Sequence, residues 1–422
     1  MKILYLIHQF FPKYYTGTER FILNQGIMAQ KSGHKVKVLT YSFYDDAFYD
    51  QSIGNIRFKE FTYQGIPVLA LKHMILPDDI HYALENKDFS VVARSLIEKE
   101  APDIIHVGHP MRVGEFIRAA IALRIPYIVT LTDFFSICPK CTLFTSSHTL
   151  CGGPSQGRAC LELCPEFPMD VIVERLATTR NILDHAKVVV SPTRFLASLI
   201  QKEFPQLDIK IISHGVKYSS IKRNAKRYSK GDQIIFCYAG SLNRHKGVHL
   251  LVEAFRNARF ENILLKIYGS GAEERYVAQL REMAAEDRRI WFCGIYEGGR
   301  VGDILADVDV LVIPSVWYEN TPIVVREALA CGVPVIGSDV GGIAEDVEDR
   351  VTGYLFNVGD SEHLTRVLKL IAKKPSLLNP IKRNIAELWI SNMEQESYAY
   401  ARIYALMMAG MENGVTPLLA SL

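Results

Sequence analysis

The most informative stretch of the chain reads Ser315-Val-Trp-Tyr-Glu319-Asn-Thr-Pro322-Ile-Val-Val-Arg-Glu327-Ala-Leu-Ala-Cys-Gly332-Val-Pro334-Val-Ile-Gly-Ser338. Seven residues separate its two carboxylates, Glu319 and Glu327, across a turn that opens a helix. The turn follows a predicted strand that ends at Pro314, and a second strand begins at Pro334. The N–H groups and dipole of a helix start favour an anion, and a carboxylate two turns along can accept hydrogen bonds from ribose hydroxyls. The stretch therefore indicates nucleotide-sugar chemistry.

Short apolar runs alternate with helical patterns in both halves of the chain. The predicted strands are 3–7, 36–40, 104–107, 127–131, 209–212, 234–238, 264–268, 290–292, 310–313 and 334–337. The clearest helical patterns are 18–32, 113–123 and 248–257. Strands separated by helices of this length indicate parallel βαβ units. The sequence therefore predicts an α/β protein with two Rossmann-like domains.

A turn at Gly215 followed by a basic, apolar-poor stretch predicts the domain boundary. We predict an acceptor-side domain at 1–215, with a cysteine-rich insertion at about 134–168. A linker at 216–232, a nucleotide-sugar-binding domain at 233–392 and a helical segment at 393–422 follow.

The glutamate pair belongs to a wider set of motifs that occurs in one order along the chain. The other members are Gly240, Lys246-Gly247, Gly269-Ser-Gly271, Gly294, Pro314-Ser315 and Gly341-Gly342. This ordered set resembles the family 4 retaining glycosyltransferases and their E-x7-E signature. The resemblance implies the GT-B fold, with two facing Rossmann-like domains and a C-terminal helix that crosses back to the N-terminal domain. It also implies transfer of a sugar from a nucleotide diphosphate donor to an acceptor hydroxyl with retention, without a catalytic divalent ion.

In similar enzymes a lysine contacts the donor diphosphate, and Lys246 stands at that position. The alternative is a solvent-exposed lysine at a helix start. The family's arginine after the glycine is replaced by Ser241, so Arg244 is the candidate second cation. Negative charge develops on the departing diphosphate, and preorganised cations and amides stabilise it.

By the same resemblance, Glu319 contacts the donor sugar or stabilises an oxocarbenium-like transition state, and Glu327 binds the ribose. An ordinary exposed helix glutamate is the alternative for Glu327. The remaining predicted donor-site positions are the loop residue Gly240, the backbone amides of Asn320, Thr321 and Ile323, and the close-approach glycines Gly269 and Gly271. For the last two, a plain turn is the alternative.

In the N-terminal half, the loop around Gly17 resembles the family's glycine-rich loop after the first strand. It lacks G-x-G-x-x-G, which argues against a dinucleotide oxidoreductase. Similar enzymes place a histidine beside the reacting sugar, and we predict His109 rather than His106, with a packed strand-end histidine as the alternative. Asp133 resembles the aspartate of a family His-Asp pair whose histidine is replaced here by Thr132.

Five of the eight cysteines fall within 27 residues: Cys138, Cys141, Cys151, Cys160 and Cys164. In a cytoplasmic chain, thiolates at such short spacing favour a metal over disulfides. We predict a structural zinc, with an iron–sulfur cluster as the second choice, held by Cys138, Cys151, Cys160 and Cys164 or by three of these with Cys141. Free or redox-active thiols are the alternative.

The composition does not identify the partners, but it argues against one class of partner, nucleic acid. The chain has 422 residues, 49% of them apolar, with 48 basic and 46 acidic residues, which gives no mark of nucleic-acid binding. We read the basic residues between 222 and 230 as a solvated linker, with a membrane or polymer contact as the alternative. The first apolar run is too short for a signal peptide, and no apolar stretch approaches the ~18 residues of a membrane span. We expect a cytoplasmic protein, soluble or peripheral at the inner face of the membrane.

The expected partners are a UDP- or GDP-sugar donor and a glycan or lipid-linked acceptor. Two other functions stay open: a nucleotide-sugar isomerase on the same fold, and a non-catalytic protein that binds a sugar nucleotide.

Overall fold

The computed structural model describes residues 1–271, 273–296 and 300–410. The chain divides into two compact units. Unit 1 comprises Met1–Ser213 and the described residues from Glu394 onwards, and unit 2 comprises His214–Met393. Each unit contains one sheet with helices packed against it, which confirms the predicted α/β class.

Unit 1 contains a nine-stranded sheet with the order β3-β4-β5-β2-β1-β6-β7-β8-β9. Its strands are β1 (Lys2–Ile7), β2 (Lys35–Tyr41), β3 (Gln51–Ile53), β4 (Ile56–Tyr63), β5 (Ile66–His73), β6 (Ile104–Val107), β7 (Tyr127–Thr130), β8 (Val188–Ser191) and β9 (Ile209–Ile211). The pairs that involve β4 are antiparallel, and the other pairs are parallel. β1, β6 and β7 are near-continuous apolar runs because a central parallel strand is covered on both faces.

The β4–β5 hairpin is absent from the sequence-based prediction. Its turn residues Gln64 and Gly65 have φ values of 47° and 81°, as in a two-residue turn of the primed type. The unit 1 helices are α1 (Gly17–Lys31), α2 (Lys87–Glu100), α3 (Gly114–Ala122), α4 (Arg158–Leu163), α5 (Met169–His185) and α6 (Arg194–Glu203).

Unit 2 contains a six-stranded, fully parallel sheet with the order β12-β11-β10-β13-β14-β15. Its strands are β10 (Ile234–Ala239), β11 (Ile263–Tyr268), β12 (Ile290–Gly294), β13 (Val310–Ile313), β14 (Val335–Ser338) and β15 (Gly353–Phe356). Its helices are α7 (Val248–Ala258), α8 (Glu274–Ala284), α9 (Val301–Ala306), α10 (Ile323–Ala330), α11 (Gly341–Asp346), α12 (Ser361–Lys373) and α13 (Leu378–Ala386). Counted from β10, this is the 3-2-1-4-5-6 order of a doubly wound sheet.

The stretch predicted as a linker packs onto unit 2. The Lys226 ammonium lies 2.8 Å from Oδ2 of Asp309, and the Tyr228 hydroxyl donates to Oδ1 of the same carboxylate at 2.9 Å. One basic side chain of this stretch, that of Lys226, therefore forms an ion pair within the fold.

The last described helix, α14 (Met393–Met408), packs into the core of unit 1. The Tyr404 hydroxyl lies 2.7 Å from Nδ1 of His106, and the Tyr400 hydroxyl lies 3.1 Å from Oγ1 of Thr130. The same Thr130 hydroxyl lies 2.8 Å from Nε2 of His106. The predicted return of the C-terminal helix is confirmed as far as residue 410, and residues 411–422 of the predicted segment lie outside the described residues.

Within the described ranges, no helix combines the length and apolar character needed to cross a membrane. The cytoplasmic or membrane-peripheral location stays a prediction.

Candidate active site

The first candidate site lies at the switch point of the unit 2 sheet, where β10 lies beside β13. The connections from these two strands leave toward opposite sides, so their carboxyl ends border a crevice, which is where open α/β sheets bind ligands. The loop after β10 carries Lys246, and the loop after β13 carries Glu319.

Lys246 and Glu319 form a close ion pair. The Lys246 ammonium lies 2.8 Å from Oε1 and 3.0 Å from Oε2 of Glu319. Oε1 also accepts hydrogen bonds from the Ser315 hydroxyl at 2.6 Å and from Trp317 Nε1 at 2.9 Å. The ammonium lies 4.9 Å from the centroid of the Trp317 ring. No role was predicted for Ser315 or Trp317 from the sequence, although both precede Glu319 within the same motif.

The environment keeps Glu319 ionised. Burial alone would raise its pKa, but the charge of Lys246 and the hydrogen bonds from Lys246, Ser315 and Trp317 outweigh burial and lower it. Burial, followed by the charge of Lys246, lowers the pKa of neighbouring His245 to about 4. At neutral pH the pair is therefore a fixed positive and negative charge beside a neutral imidazole.

Glycines lock the site loops together by backbone contact. Gly247 has φ +69°, and a Cβ there would lie 1.9 Å from the Pro314 carbonyl oxygen. A Cβ at Gly342 would lie 1.8 Å from the Asn320 carbonyl oxygen, and the Gly342 N–H donates to the Glu319 carbonyl at 2.7 Å. The backbone on both sides of the ion pair is therefore held by contacts that only glycine permits.

Two other predicted glycines, Gly269 and Gly271, also allow close contact between backbone segments. A Cβ at Gly269, where φ is +136°, would lie 1.8 Å from the Gly240 carbonyl oxygen, and one at Gly271 would lie 2.1 Å from the Leu242 carbonyl oxygen. These distances show that Gly269 and Gly271 bring the loop after β11 against the loop after β10. The approach predicted from the sequence is to the base or ribose of the donor and stays a prediction, whereas the contacts seen here join two protein loops.

The start of α10 carries the remaining predicted donor-site residues. The helix begins at Ile323, and Pro322 precedes it with φ −73°. Among the side chains that the structure describes, the Thr321 hydroxyl is one of the buried polar atoms without a hydrogen-bond partner. Asn320 lies in the turn before it, and Glu327 lies half-buried in the second turn of the helix.

Arg244 does not join the ion pair in the contacts that the structure shows. Its guanidinium carbon lies 5.8 Å from the centroid of the Tyr276 ring on α8. Its role as the second cation in place of the arginine missing at Ser241 stays a prediction.

The second candidate site lies at the switch point of the unit 1 sheet, between β1 and β6. His8 follows β1 and His109 follows β6, and their ring centroids lie 3.9 Å apart. Nε2 of His109 lies 3.0 Å from Oδ2 of Asp133, and Oδ1 of Asp133 accepts the Phe135 N–H at 2.8 Å. Asp133 therefore has a histidine partner, which comes from the neighbouring strand end rather than from position 132.

The two candidate histidines have different environments. The Met111 N–H donates to Nδ1 of His109 at 3.2 Å, so in the neutral ring the proton is on Nε2 and is donated to Asp133. His106 is fully buried, and burial lowers its pKa to about 3. His106 therefore supports the core, and His109 is the histidine at the switch point.

The loop around Gly17 lies in unit 1, where Gly17 opens α1 and is exposed. The loop is held by buried Glu19, whose carboxylate accepts from Gln9 Nε2 at 3.0 Å and from the Thr16 hydroxyl at 2.5 Å. Arg112, which the sequence analysis missed, donates to the His8 carbonyl at 3.3 Å and thereby links the loops after β1 and β6.

The structure separates the five clustered cysteines into two groups. Among the described residues, one set of three possible metal ligands has all its ligand atoms within 4.8 Å of one another, and it comprises His109, Asp133 and Cys141. The other four cysteines line one cavity in the insertion: Cys138, Cys151, Cys160 and Cys164.

Two family profiles together match most of the chain. The family profile described as Glycosyltransferase Family 4 matches residues 15–219. The profile described as Glycosyl transferases group 1 matches residues 220–388.

One curated relative is the lipopolysaccharide 1,2-N-acetylglucosaminetransferase of Salmonella typhimurium, 29% identical over 220 residues that cover 48% of this chain and 54% of that protein. The chain spans about half the length of the curated relatives it matches.

Two solved structures are similar over nearly the whole chain. The sucrose-phosphate synthase of Thermosynechococcus elongatus has a TM-score of 0.71 at 18% identity, covering 97% of this chain and 99% of that chain. Anabaena HepE in complex with UDP-glucose has a TM-score of 0.62 at 18% identity, covering 100% of both chains. At these identities the likeness shows the fold alone, which is the predicted GT-B fold.

Proposed function

The chain belongs to the glycosyltransferase group 1 and family 4 proteins, and we propose that it is a retaining hexosyltransferase. In the proposed reaction, a bond forms between an acceptor hydroxyl oxygen and the anomeric carbon of a nucleotide diphosphate sugar. The bond from that carbon to the diphosphate oxygen breaks, and the hydroxyl proton passes to the departing diphosphate. The products are a glycoside and a nucleoside diphosphate.

The observation that carries this proposal is the Lys246–Glu319 pair at the unit 2 switch point. An ammonium group has three N–H donors, and two of them account for the contacts to the Glu319 oxygens. The third can be donated to a diphosphate oxygen. The charge of Lys246 is then already in place when negative charge develops on the leaving group.

The two oxygens of Glu319 are used unequally. Oε1 is close to three donors, from Lys246, Ser315 and Trp317, whereas the hydrogen bond described for Oε2 comes from Lys246 alone. A carboxylate oxygen can accept about two hydrogen bonds. Oε2 therefore has capacity for a donor-sugar hydroxyl, which is the role that the sequence predicts.

The start of α10 offers the remaining contacts. Its positive dipole end and first-turn amides favour a phosphate. The buried, unpartnered Thr321 hydroxyl supports a ligand at the same place, because buried polar groups normally find a partner. Glu327, one turn further along, is proposed to accept hydrogen bonds from the ribose.

In unit 1, His109 is proposed to touch the sugar that reacts. Its Nδ1 is engaged by the Met111 N–H, and its Nε2–H points to Asp133. In this arrangement the ring has no free lone pair, so His109 would position the substrate and stabilise charge rather than remove a proton. This agrees with a mechanism in which a diphosphate oxygen is the base.

The names of two similar proteins support the proposed donor and acceptor classes. HepE was solved in complex with UDP-glucose, which supports a UDP-sugar donor, with a GDP-sugar also to be tested. The lipopolysaccharide N-acetylglucosaminetransferase supports a glycan or lipid-linked acceptor in polysaccharide or glycolipid synthesis.

Incubation with a panel of UDP-, GDP- and ADP-sugars and mixed glycan acceptors tests the proposal. We expect release of nucleoside diphosphate, with NMR showing that the transferred sugar keeps its anomeric configuration. Lys246→Ala should abolish most of the release, whereas Lys369→Ala, on the exposed face of α12, should not. Conversion of the donor into another sugar nucleotide without release would instead indicate an isomerase, and binding without turnover would indicate a non-catalytic protein.

A further inference from the structure

We propose that Cys138, Cys151, Cys160 and Cys164 hold a metal centre through four thiolates, and that Cys141 is not one of its ligands. The four cysteines line a single cavity in the insertion that follows β7. Cys138 and Cys151 lie in loops, and Cys160 and Cys164 lie in α4 and at its C-terminal cap, so a metal bound by all four would join parts of the insertion that are distant in sequence.

The position of Cys160 supports one common centre. Cys160 lies on α4 and lines the same cavity as Cys138, Cys151 and Cys164. Cys164 follows one helical turn later, and its N–H donates to the Cys160 carbonyl at 2.8 Å. Cys164 is the residue that caps the C-terminal end of α4, and it lines the same cavity as Cys160.

The turn after Cys138 is suited to a thiolate. The backbone N–H groups of Lys140, Thr142 and Leu143 face the Cys138 sulfur. Hydrogen bonds to sulfur stabilise the charge of metal-bound thiolates. The Lys140 ammonium, which pairs with Glu166 at 3.0 Å, also lies 3.9 Å from the Cys164 sulfur at the edge of the cavity.

The backbone of the insertion needs a clamp. Of the eleven non-glycine residues with positive φ in the described part of the chain, five lie between 138 and 157: Cys141, Leu143, His148, Ser155 and Gln156. Such conformations are unfavourable and persist when the surrounding structure fixes them. The segment from 131 to 157 contributes no strand to the sheet and contains one isolated bridge, Phe144 to Leu150. A four-thiolate centre would supply the missing constraint.

Cys141 faces another site. Its sulfur lies within 4.8 Å of ligand atoms of His109 and Asp133, and it is not among the residues that line the cavity. It is tied to Cys138 by one turn, because the Cys141 N–H donates to the Cys138 carbonyl at 3.0 Å. A metal at Cys138 would therefore fix the turn that places Cys141 beside the His109–Asp133 pair.

The distances between the four sulfurs can be compared with those around a bound zinc ion. A zinc ion with bonds of ~2.3 Å places its sulfurs about 3.8 Å apart. Among the described residues, no three of these four sulfurs lie within 4.8 Å of one another. In a four-iron cluster each thiolate binds a different iron atom, which spreads the ligands further. The sulfurs therefore lie further apart than the ligands of one zinc ion, and the metal content of the protein decides between zinc and a cluster.

The test begins with the full-length protein purified without oxygen. We expect either about four iron and four acid-labile sulfide per chain with absorbance near 400 nm, or about one zinc per chain. Both results support the four-thiolate site and identify its occupant. Protein that contains none of iron, zinc and sulfide would overturn the proposal.

Single serine variants test the ligand set. Cys160→Ser should lose the metal and become more sensitive to trypsin at Lys140 and Arg158, while Cys141→Ser should keep its full metal content. Cys293→Ser removes an exposed cysteine of unit 2 and is the control for handling and oxidation. Equal metal loss in the Cys141 and Cys160 variants, or full metal retention in Cys160→Ser, would contradict the assignment. Cys151→Ser provides the same test if Cys160→Ser does not fold.

Discussion

Removal of Lys246 should expose how strongly unit 2 depends on the charge beside Glu319. In Lys246→Met the Glu319 side chain, 9% exposed, keeps only the neutral donors Ser315 and Trp317. Breaking one side of a buried pair costs about 3–5 kcal/mol. Because the Lys246 side chain is 22% exposed and therefore partly screened, we expect a loss of about 2–3 kcal/mol in the free energy of unfolding.

A double-mutant cycle isolates the pair. Glu319→Gln removes the buried charge and leaves a lysine that can turn to solvent, so the double variant should be more stable than the sum of the two single losses predicts. We expect a coupling energy of about 1.5–2 kcal/mol. All three tryptophans, Trp291, Trp317 and Trp389, lie in unit 2, so urea unfolding followed by tryptophan fluorescence measures this unit.

The pH dependence of stability gives a second, independent test of the ion pair. In the wild type the pKa of Glu319 is lowered, so its contribution is present above the unfolded pKa and is lost on acidification. In Lys246→Met, burial should raise that pKa above the unfolded value, so stability is lost as the pH rises. Lys246→Met should therefore be destabilised more at pH 8 than at pH 5. Additive single losses, together with equal destabilisation at both pH values, would refute the reasoning.

Three further outcomes are expected. Burial lowers the pKa of His106 from 6.5 to about 3, so the unfolded state binds more protons between these values and stability should fall as the pH drops through this window. His106→Gln should flatten that decline in urea titrations at pH 4 and pH 7, followed by circular dichroism because His106 lies in unit 1. Gly359 has φ +78° and no atoms near its would-be Cβ, so Gly359→Ala should lower the free energy of unfolding by about 1 kcal/mol. Gly247→Ala, which also meets the Pro314 carbonyl, should cost about 2 kcal/mol more in the same assay. Glu327→Ala should raise the donor KM with little change in kcat, because ribose contacts bind ground and transition states alike; an unchanged KM in steady-state kinetics would remove Glu327 from the donor site.

Strand and helix periodicity predicted much of the fold. The central strands of both sheets are apolar runs whose burial demands a parallel arrangement. The β4–β5 hairpin was missed because its turn, Gln64-Gly65, lacks the common Asn-Gly or Asp-Gly signal. The packing of 216–232 onto unit 2 depends on Asp309, a partner more than 80 residues away that no local pattern identifies.

The candidate site, like the fold, could be predicted from the sequence only in part. Lys246 and Glu319 were predicted separately from the sequence, and their contact follows from the strand order that places β10 next to β13. The pairing of Asp133 with His109 was not foreseen, because the two residues lie 24 positions apart and meet only at adjacent strand ends. The division of the cysteines into four and one likewise requires the path of an irregular loop, which spacing alone does not fix.

Hydrogen exchange measured with UDP, GDP and ADP tests the central claim most directly, because it locates the nucleotide without knowledge of the acceptor. We predict that one of these nucleoside diphosphates slows exchange in segments 240–247 and 315–327 of the wild type, and that this protection is lost in Lys246→Ala and kept in Lys369→Ala. Absence of protection in both segments at saturating concentrations of all three nucleotides, or protection that Lys246→Ala leaves intact, would contradict a donor site built on Lys246 and Glu319.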